Sequence, residues 1–374
     1  MIIKFDRQKL AKALQIVSKT VSSRTAMPIL SGILMRSVDR DTVELIASDG
    51  ITSIRTRCDA GIIEPGNTVF SARNLVDIVK TMPSDQVTIE QEIGSSAIKI
   101  SGGTAEFNLN TMPAEDYPPL ASVENENRLS INMDTFRNMV KQVSVAVSNN
   151  EARPVYTGIL LKAENSNLIM VATDTHRLAV RKEPVDIKHE SVQRAIIPGK
   201  MMQEAARLSV EAQDDDDIGI WSDEKQVAIE AGETVLISRL LEGQYPDFTS
   251  VIPSEFSTNV IVENSVFLAA LERASLVAAQ AAPTVRLEIR KGEIQVESHS
   301  PEFGRSCETI TAETAGEDLI IAFNAHYLTD ALKAISDEKV GINFNDSLSP
   351  AILKSLGTSE YTYLVLPVRL RAEF

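Results

Sequence analysis

Three copies of one pattern follow each other along the chain, and this repeat constrains the fold more than any other feature of the sequence. Asp49 in LIASDGITSIRT and Asp174 in MVATDTHRLAVR lie 125 residues apart, and His299 in QVESHSPEFGRS lies 125 residues further on. Each stretch consists of an apolar run, a short polar turn and a second alternating run. The pattern predicts a β-hairpin in each copy, or two strands joined by a tight turn.

A second repeated stretch predicts a helix in each copy. It begins at Phe70 in FSARNLVDIVK, at Ile197 in IPGKMMQEAARL and at Phe323 in FNAHYLTDALKAI. After an extended entry, apolar residues recur at the three- and four-residue spacing of one helix face. The positions predicted to be buried are Leu75, Ile78, Val79, Met82, Met201, Ala205, Leu208, Leu328, Ala331, Leu332 and Ile335.

Another helix is predicted to open each copy, after Asp6, Asp134 and Asn264, because Asp and Asn are typical N-cap residues. A Pro-containing stretch closes each copy, in the order NTMPAEDYPPL, RLLEGQYPDFTSVIP and VLPVRL. Alternating segments such as VTIEQEI and QVAIEAG add strands to the two helices. We therefore expect an α+β protein of three domains, residues 1–126, 127–253 and 254–374, each near the commonest domain size.

Composition narrows the class of protein further. The chain has 374 residues, of which 43% are apolar and 24% charged, as in globular proteins. Because its apolar runs are too short to span a bilayer and charges occur early, at Lys4 and Asp6, we expect neither a membrane span nor a signal peptide. Two distant cysteines, Cys58 and Cys307, form neither a disulfide framework nor a zinc motif. We expect a cytoplasmic protein with no membrane partner, no metal and no cofactor.

The whole chain resembles the bacterial sliding clamps, the beta subunits of DNA polymerase III. The resemblance rests on four stretches that occur in order on the threefold period, namely MPILSGILM from Met27, ATDTHRLAV, YPDFTSVIP and the terminal LVLPVRL. It implies that each copy is a DNA-clamp unit, with two helices packed on outer antiparallel sheets. It also implies a head-to-tail homodimeric ring that encircles and slides on duplex DNA, tethers the replicative polymerase and catalyses nothing itself.

The net charge of −15 would by itself argue against a nucleic-acid partner, because like charges repel. A ring removes the conflict, since it holds DNA by topology and needs positive charge only along its lining. Basic residues do occur on the predicted helices, although such residues can also simply mark a solvated helix face. By resemblance, the residues expected to contact DNA are Arg24, Arg73, Lys80, Lys141, Asn150 and Lys200.

The resemblance further implies a hydrophobic pocket, between the second and third copies, for a short linear motif ending in Leu and Phe. The implied partners are the polymerase III alpha subunit, the delta subunit of the clamp loader, and other polymerases and repair proteins that carry this motif. The matching positions are Thr173, Thr175, His176, Arg177, Leu178, Pro246, Val251, Leu364, Leu366, Pro367, Val368 and Arg369. Taken singly, Val251, Leu364 and Leu366 are equally well interpreted as core strand residues.

Several pocket positions depart from the family pattern. Thr175 replaces the usual Gly before His176, and a β-branched residue tolerates positive φ poorly, so the sequence leaves open whether this turn keeps the family's backbone shape. Ser250 replaces a common Arg, while Leu366 and Val368 replace the Met of some members. The last four residues, Arg-Ala-Glu-Phe, extend beyond the usual end of the family beside the pocket.

The implied ring interface joins the first copy of one chain to the third copy of the other. It pairs Phe107 and Leu109, on an edge strand, with Leu276 and Val277, at a helix. Extending a sheet across the interface would satisfy the open edge. Burial in the core of a single chain is the alternative for all four residues.

Two other functions are compatible with the repeat. An enzyme could use Asp174 and His176 as acid–base groups. However, the turn recurs at Asp49 without a His two residues later, and no G-x-S-x-G nucleophile motif accompanies His176. The third alternative is an interaction scaffold that never touches DNA.

Overall fold

The computed structural model describes residues 1–21, 27–92, 94–119, 123, 128–185, 194–208, 217–278, 283–357 and 360–369, and at Arg73 the backbone. Two helices occur in each of the three sequence copies, as predicted. The helices are α1 (Arg7–Ser18), α2 (Ala72–Thr81), α3 (Met133–Ser144), α4 (Gly199–Leu208), α5 (Asn264–Ser275) and α6 (Ala325–Ala334).

Strands make up most of the remaining described structure. In chain order they are β1 (Ile2–Asp6), β2 (Gly32–Ser37), β3 (Thr42–Ser48), β4 (Thr52–Asp59), β5 (Gly61–Glu64), β6 (Asn67–Ser71), β7 (Gln86–Glu90), β8 (Ala97–Gly102), β9 (Ala105–Met112), β10 (Leu129–Asn132), β11 (Gly158–Glu164), β12 (Asn167–Thr173), β13 (Arg177–Pro184), β14 (Arg194–Pro198), β15 (Asp217–Ser222), β16 (Gln226–Ala231), β17 (Thr234–Arg239), β18 (Thr258–Glu263), β19 (Thr284–Arg290), β20 (Glu293–Ser300), β21 (Gly304–Thr311), β22 (Glu313–Gly316), β23 (Leu319–Asn324), β24 (Lys339–Phe344), β25 (Ala351–Ser355) and β26 (Glu360–Val365).

The chain forms two compact units. Unit 1 comprises Met1–Asp134 and Glu204–Leu240, and unit 2 comprises Thr135–Gln203 and Leu241–Phe374. Each unit therefore combines one terminal copy of the sequence repeat with part of the middle copy.

Unit 1 contains one continuous hydrogen-bonded sheet, in the strand order β10-β15-β16-β17-β4-β3-β2-β6-β9-β8-β7-β1-β5. Strand β17 of the middle copy pairs antiparallel with β4 of the first copy, so that Ile237 lies opposite Ser53 and Ser238 opposite Thr52. This pairing joins the strands of two sequence copies into a single sheet.

Unit 2 contains two sheets. The larger has the order β14-β11-β12-β13-β26-β25-β24-β18-β22, and the smaller has the order β21-β20-β19-β23. Strand β13 of the middle copy pairs antiparallel with β26 of the third, placing Leu178 opposite Leu364. The pairing is equivalent to that of β4 with β17 in unit 1, and it positions the candidate site described below.

The predicted hairpins are confirmed in all three copies. Strand β3 pairs with β4, β12 with β13, and β20 with β21. The predicted helix faces are confirmed as well, since the apolar positions on α2, α4 and α6 are buried except for Ile78, which is half-buried. Burying one apolar face of each helix against a sheet is the main source of its stability.

The predicted N-caps are correct for one helix and wrong for two. Asp6 caps α1 by accepting hydrogen bonds from the amides of Gln8 and Lys9, both at 2.9 Å. In α3 the carboxamide of Asn132 accepts from the amide of Asp134, so Asp134 lies inside the helix. Asn264 is the first residue of α5, and its buried side chain points at the end of α6 instead.

Candidate functional site

The turn between β12 and β13 carries the motif from Thr173 to Arg177. The hydroxyl of Thr173 donates to the carbonyl of Arg177 at 2.7 Å. The Asp174 carboxylate accepts from the amide of His176 at 2.9 Å and from that of Arg177 at 3.0 Å. These bonds define an Asx-type turn, in which a short polar side chain replaces backbone partners. They hold the backbone that presents His176 and Arg177.

Thr175 occupies the left-handed region, with φ of 78°. The turn from Ser48 to Thr52 has the same hydrogen bonds, and there Gly50 occupies the corresponding position with φ of 91°. The turn at Thr175 therefore has the same backbone shape as its counterpart at Gly50, despite the β-branched residue. A β-branched residue in this region costs on the order of 1 kcal/mol.

The segment that follows β26 is fixed beside this turn by backbone hydrogen bonds. The amide of Leu366 donates to the carbonyl of His176 at 2.9 Å, continuing the pairing of β13 with β26. Two residues later the amide of Val368 donates to the carbonyl of Ala322 on β23 at 2.8 Å. The segment 366–369 is thus held in place along the turn.

Arg177 is the best-anchored side chain of the site. Its Nε donates to Asp174 at 2.9 Å, and its Nη1 donates to Asp330 on α6 at 2.6 Å. Burial alone would lower the pKa of Arg177, but Tyr363 and the two carboxylates outweigh it and raise the pKa above its ordinary value. The guanidinium therefore stays charged and ties the turn to α6.

Asp174 is fully used by this turn, which bears on the enzyme alternative. One of its oxygens caps the backbone and the other accepts from Arg177, while its bond to His176 is to the backbone amide. The His176 ring is exposed and stacks on Tyr327, with the ring centroids 6.2 Å apart. Because Asp49 caps its own turn in the same way beside Ile51, the carboxylate is a turn element that needs no neighbouring His.

The pocket positions fall into a floor and a rim. Leu178 and Leu364 are each 4% exposed and belong to one core cluster with Tyr245. Leu366 is 39% exposed and Val251 is 51% exposed. Val251 follows Phe248 and precedes Ile252, and both of these pack against the same cluster. The core interpretation therefore holds for Leu364 and fails for Val251 and Leu366, which leave apolar surface in solvent.

The remaining pocket positions lie around this apolar surface. Pro246 and Arg369 are exposed, whereas Pro367 and Val368 are half-buried. Ser250 donates its hydroxyl to the carbonyl of Asp247 at 3.2 Å, so it completes a turn and offers no cation. The terminal residues 371–374 lie outside the described residues.

Sequence reasoning missed the side chains that support Arg177 and its turn from α6. Tyr327 lies under the Arg177 guanidinium, and its carbonyl accepts from the hydroxyl of Tyr363 at 2.9 Å. Tyr327 and Asp330 are three residues apart, so they share one helix face. That spacing is readable from the sequence, but nothing local indicates which distant residue the face meets.

The structure places four of the six predicted DNA-contacting residues on exposed helix and loop positions. The exposed ones are Lys80 on α2, Lys141 on α3, Lys200 on α4 and Asn150 in the loop before β11. The Asn150 carboxamide accepts from the amide of Ala152 at 3.0 Å, which shapes that loop. Arg24 lies outside the described residues, and Arg73 belongs to α2.

Other cations on the helices or at their ends are engaged in ion pairs that contact solvent on at least one side. These pairs are Lys9 with Asp59 at 2.6 Å, Lys19 with Glu204 at 2.8 Å, Arg273 with Glu308 at 2.6 Å and Lys333 with Glu272 at 2.8 Å. Ion pairs in contact with solvent contribute little, about 0–1 kcal/mol, so phosphate oxygens can compete for such cations.

The predicted interface residues lie at open positions of each unit. Phe107 is 38% exposed and lies on the part of β9 that pairs with β8, whereas β9 meets β6 only at Thr111 and Met112. Leu276 follows α5 and is 80% exposed. Leu109 and Val277 are half-buried. Core burial therefore does not account for Phe107 or Leu276.

Neither a metal-binding cluster nor a membrane-spanning helix occurs in the part of the chain that is described. Within those ranges, no group of three His, Cys, Asp or Glu side chains is arranged to hold a metal ion. None of the described helices has the length and apolar character needed to cross a membrane. Cys58 and Cys307 are both free thiols.

Tandem copies of two helices on antiparallel sheets, with hairpins that repeat on the same period, define a protein of the DNA-clamp class. Family models for the N-terminal, central and C-terminal domains of the DNA polymerase III beta subunit match residues 1–121, 130–247 and 249–369. The chain belongs to this family of beta subunits, the bacterial sliding clamps, which are non-catalytic accessory subunits of a polymerase.

Individual relatives support the same assignment. The beta sliding clamp of Bacillus subtilis is 38% identical, with 98% of this chain and 100% of the relative covered. A crystal structure of the sliding clamp from Bacillus subtilis superposes with a TM-score of 0.94 at 35% identity, covering 99% of this chain and 100% of the other. The Pseudomonas aeruginosa clamp bound to griselimycin has a TM-score of 0.93 at 29% identity, with coverage of 99% and 100%.

Proposed function

We propose that the apolar rim of unit 2 is a pocket for linear peptides. The observation that carries the proposal is the exposure of Leu366 and Val251 beside a turn that Arg177 holds rigid. A floor of buried leucines, a few polar groups and a fixed backbone suit the capture of an extended peptide with apolar anchors. The twelve positions named above from Thr173 to Arg369 form this site.

The partners of the pocket follow from the family. We infer that the alpha subunit of polymerase III, the delta subunit of the clamp loader, and further polymerases and repair proteins compete for it. Their common feature is a short motif that ends in Leu and Phe. The griselimycin-bound Pseudomonas aeruginosa clamp supports a small-ligand site in this fold.

We propose further that two chains close head to tail into a ring around duplex DNA in the cytoplasm. Each chain supplies three domains, residues 1–126, 127–253 and 254–374. Phe107 and Leu109 of one chain meet Leu276 and Val277 of the other, since an open strand edge and exposed apolar residues need a partner. Arg24, Arg73, Lys80, Lys141, Asn150 and Lys200 contact the phosphates without reading sequence.

Retention on DNA tests the ring. The protein is loaded onto nicked circular duplex with a clamp loader and ATP, passed over a sizing column, and compared before and after the circle is linearised. A ring is retained on the circle and lost from the linear form. Leu276→Asp, which puts a charge into the proposed interface, should abolish retention on the circle. Equal retention on both DNA forms would refute topological linkage.

Peptide binding tests the pocket separately. Leu366→Asp should abolish binding of a fluorescent peptide ending in Leu-Phe, while Leu348→Asp is the matched control. Leu348 is 69% exposed in the same unit and is not among the proposed pocket positions. If both substitutions weaken binding equally, or neither does, the pocket assignment is wrong.

A further inference from the structure

Unit 1 contains a groove at the position equivalent to the peptide pocket of unit 2. The groove has a volume of about 500 Å³. Its walls come from the segment before β2, the turn between β3 and β4, the Pro118-Pro119 pair and the end of β17. We call it the unit 1 groove.

The backbone of the unit 1 groove repeats that of the pocket. At the β3–β4 turn the carbonyl of Ile51 accepts from the amide of Arg239 at 3.4 Å, as the carbonyl of His176 accepts from Leu366 at 2.9 Å. Tyr117-Pro118 corresponds to Tyr245-Pro246 in the sequence repeat. The same arrangement, a capped hairpin turn bonded to the end of a neighbouring strand, therefore occurs in both units.

The side chains of the unit 1 groove differ from those of the pocket. Ile51 is 63% exposed and Met27 is 47% exposed, so the rim is apolar. Arg239 is exposed and takes the place of Leu366. Among the described residues that line the groove, Arg239 is the only charged one. In a chain of net charge −15, a local cation beside an apolar rim favours a ligand that carries a carboxylate.

A second cavity adjoins the unit 1 groove. It has a volume of about 470 Å³, shares Pro118, Pro119 and Ile237 with the groove, and is also lined by Trp221 and Tyr117. In unit 2 a single apolar cluster includes both Tyr245 and Leu364, the counterparts of Tyr117 and Ile237. Among the described residues of unit 1, Tyr117 and Ile237 belong to separate clusters.

We propose that the unit 1 groove is a second peptide-binding site, specific for a linear segment with an acidic residue next to an apolar anchor. The proposal takes its binding mode from the pocket proposed in unit 2, but its residues are separate. The apolar anchor packs against Met27 and Ile51, and the carboxylate pairs with Arg239.

The test uses the full-length chain labelled with carbon-13 at the Met methyl groups. The Met27 methyl resonance, assigned with Met27→Leu, reports on the groove alone. The probe is a short synthetic peptide that ends in Leu-Phe and carries Asp residues, compared with the same peptide carrying Asn. The Asp peptide should shift the Met27 resonance and bind the groove several-fold more tightly than the Asn peptide.

Variants separate the two sites. Arg239→Glu should weaken the Met27 response by about tenfold, because it replaces attraction of the Asp peptide by repulsion. Lys4→Glu makes the same charge change at an exposed position of unit 1 outside the groove, and should leave the response unchanged. Leu366→Asp should abolish binding in unit 2 and leave the Met27 response intact.

Three results would overturn the proposal. The first is a Met27 resonance that does not move when the unit 2 pocket is saturated and further peptide is added. The second is a Met27 shift that Leu366→Asp abolishes, because the shift would then report on unit 2. The third is a Met27 resonance that moves on dilution without peptide, since a second copy of the chain would then occupy the groove.

Discussion

The guanidinium carbon of Arg177 lies 4.4 Å from the centroid of the Tyr327 ring. The same guanidinium pairs with Asp330, one helix turn after Tyr327, so α6 holds Arg177 through a ring and a carboxylate. Arg177 is only 12% exposed, and a cation with so little water depends on these contacts. The orientation of the turn that carries His176 therefore depends on a helix more than 140 residues away in the sequence.

The first prediction concerns Asp330→Asn. The substitution keeps the shape of the side chain but removes the charge that faces Arg177, so we expect the free energy of unfolding to fall by about 1–2 kcal/mol. Affinity for a Leu-Phe peptide should fall several-fold, because the turn loses its link to α6. Chemical denaturation and fluorescence anisotropy measure the two effects.

Lys333→Gln is the matched control for this prediction. It removes the exposed ion pair with Glu272 on the same helix, and exposed pairs contribute about 0–1 kcal/mol. Stability should change little and peptide affinity not at all. An Asp330→Asn protein that binds peptide as tightly as the unmodified chain would show that α6 does not orient the site.

The second prediction concerns the two equivalent hairpin turns. Thr175→Gly should raise the free energy of unfolding by about 0.5–1 kcal/mol, because relief of the positive φ outweighs the added freedom of the unfolded chain. Gly50→Ala should lower it by about 1 kcal/mol. A Cβ at Gly50 would meet Leu30 Cδ1 at 3.9 Å, an ordinary contact, so backbone strain alone is responsible.

Thermal unfolding of both variants tests this pair of predictions. Opposite signs are expected, since the two turns share one geometry and differ in the residue at the strained position. Destabilisation by Thr175→Gly would mean that the Thr175 side chain makes a contribution that exceeds the backbone strain.

The threefold period made most of the architecture predictable from the sequence. The hairpins and helix faces depend on local apolar spacing, and this spacing survived the divergence of the copies. The N-caps of α3 and α5 were harder, because Asn132 and Asp134 both suit a cap and only the backbone decides between them. The division into two units was not predicted, since it depends on β17 pairing with β4 and β13 with β26.

Within the candidate site, the resemblance to the family indicated which positions to consider, and the structure showed which of them are buried and which are exposed. Leu364 and Leu366 are two residues apart and read alike, yet Leu364 is a core residue and Leu366 lies at the rim. Leu364 lies within β26, whereas Leu366 lies just beyond its last residue, Val365. The burial of the two leucines differs because the sheet ends between them. Support by Tyr327 and Asp330 is a long-range contact, for which a single sequence contains no signal.

The third prediction concerns Asn264. Its buried amide donates to the carbonyls of Leu332 at 3.2 Å, Ile335 at 2.9 Å and Asp337 at 3.3 Å, tying the start of α5 to the end of α6. Asn264→Asp replaces the donor with an acceptor that faces three carbonyl oxygens. We expect the free energy of unfolding at neutral pH to fall by about 3 kcal/mol or more, and that of Asn264→Ala by about 2 kcal/mol.

Urea denaturation at two pH values checks the explanation for Asn264. Protonation of the introduced Asp restores a donor, so the Asn264→Asp protein should recover stability at acidic pH relative to Asn264→Ala. Equal losses in the two variants at every pH would point to lost packing and not to the hydrogen bonds.

The fourth prediction is a pH dependence that arises from Tyr117. Burial raises the pKa of Tyr117 to about 12, above the ordinary value of about 10. A raised pKa in the folded state means that the folded chain holds this proton more tightly than the unfolded chain does. The stabilisation is therefore complete below about pH 10 and is lost as the pH rises from about 10 towards 12.

Tyr117→Phe should flatten the stability profile of unit 1 in this window by on the order of 1 kcal/mol, while below pH 9 the difference between the two proteins should stay constant. Stability of the two proteins, measured by urea denaturation from neutral pH to pH 11, gives that difference directly. A difference that stays constant across the whole range would mean that the Tyr117 phenol ionises as readily in the folded chain as in the unfolded one.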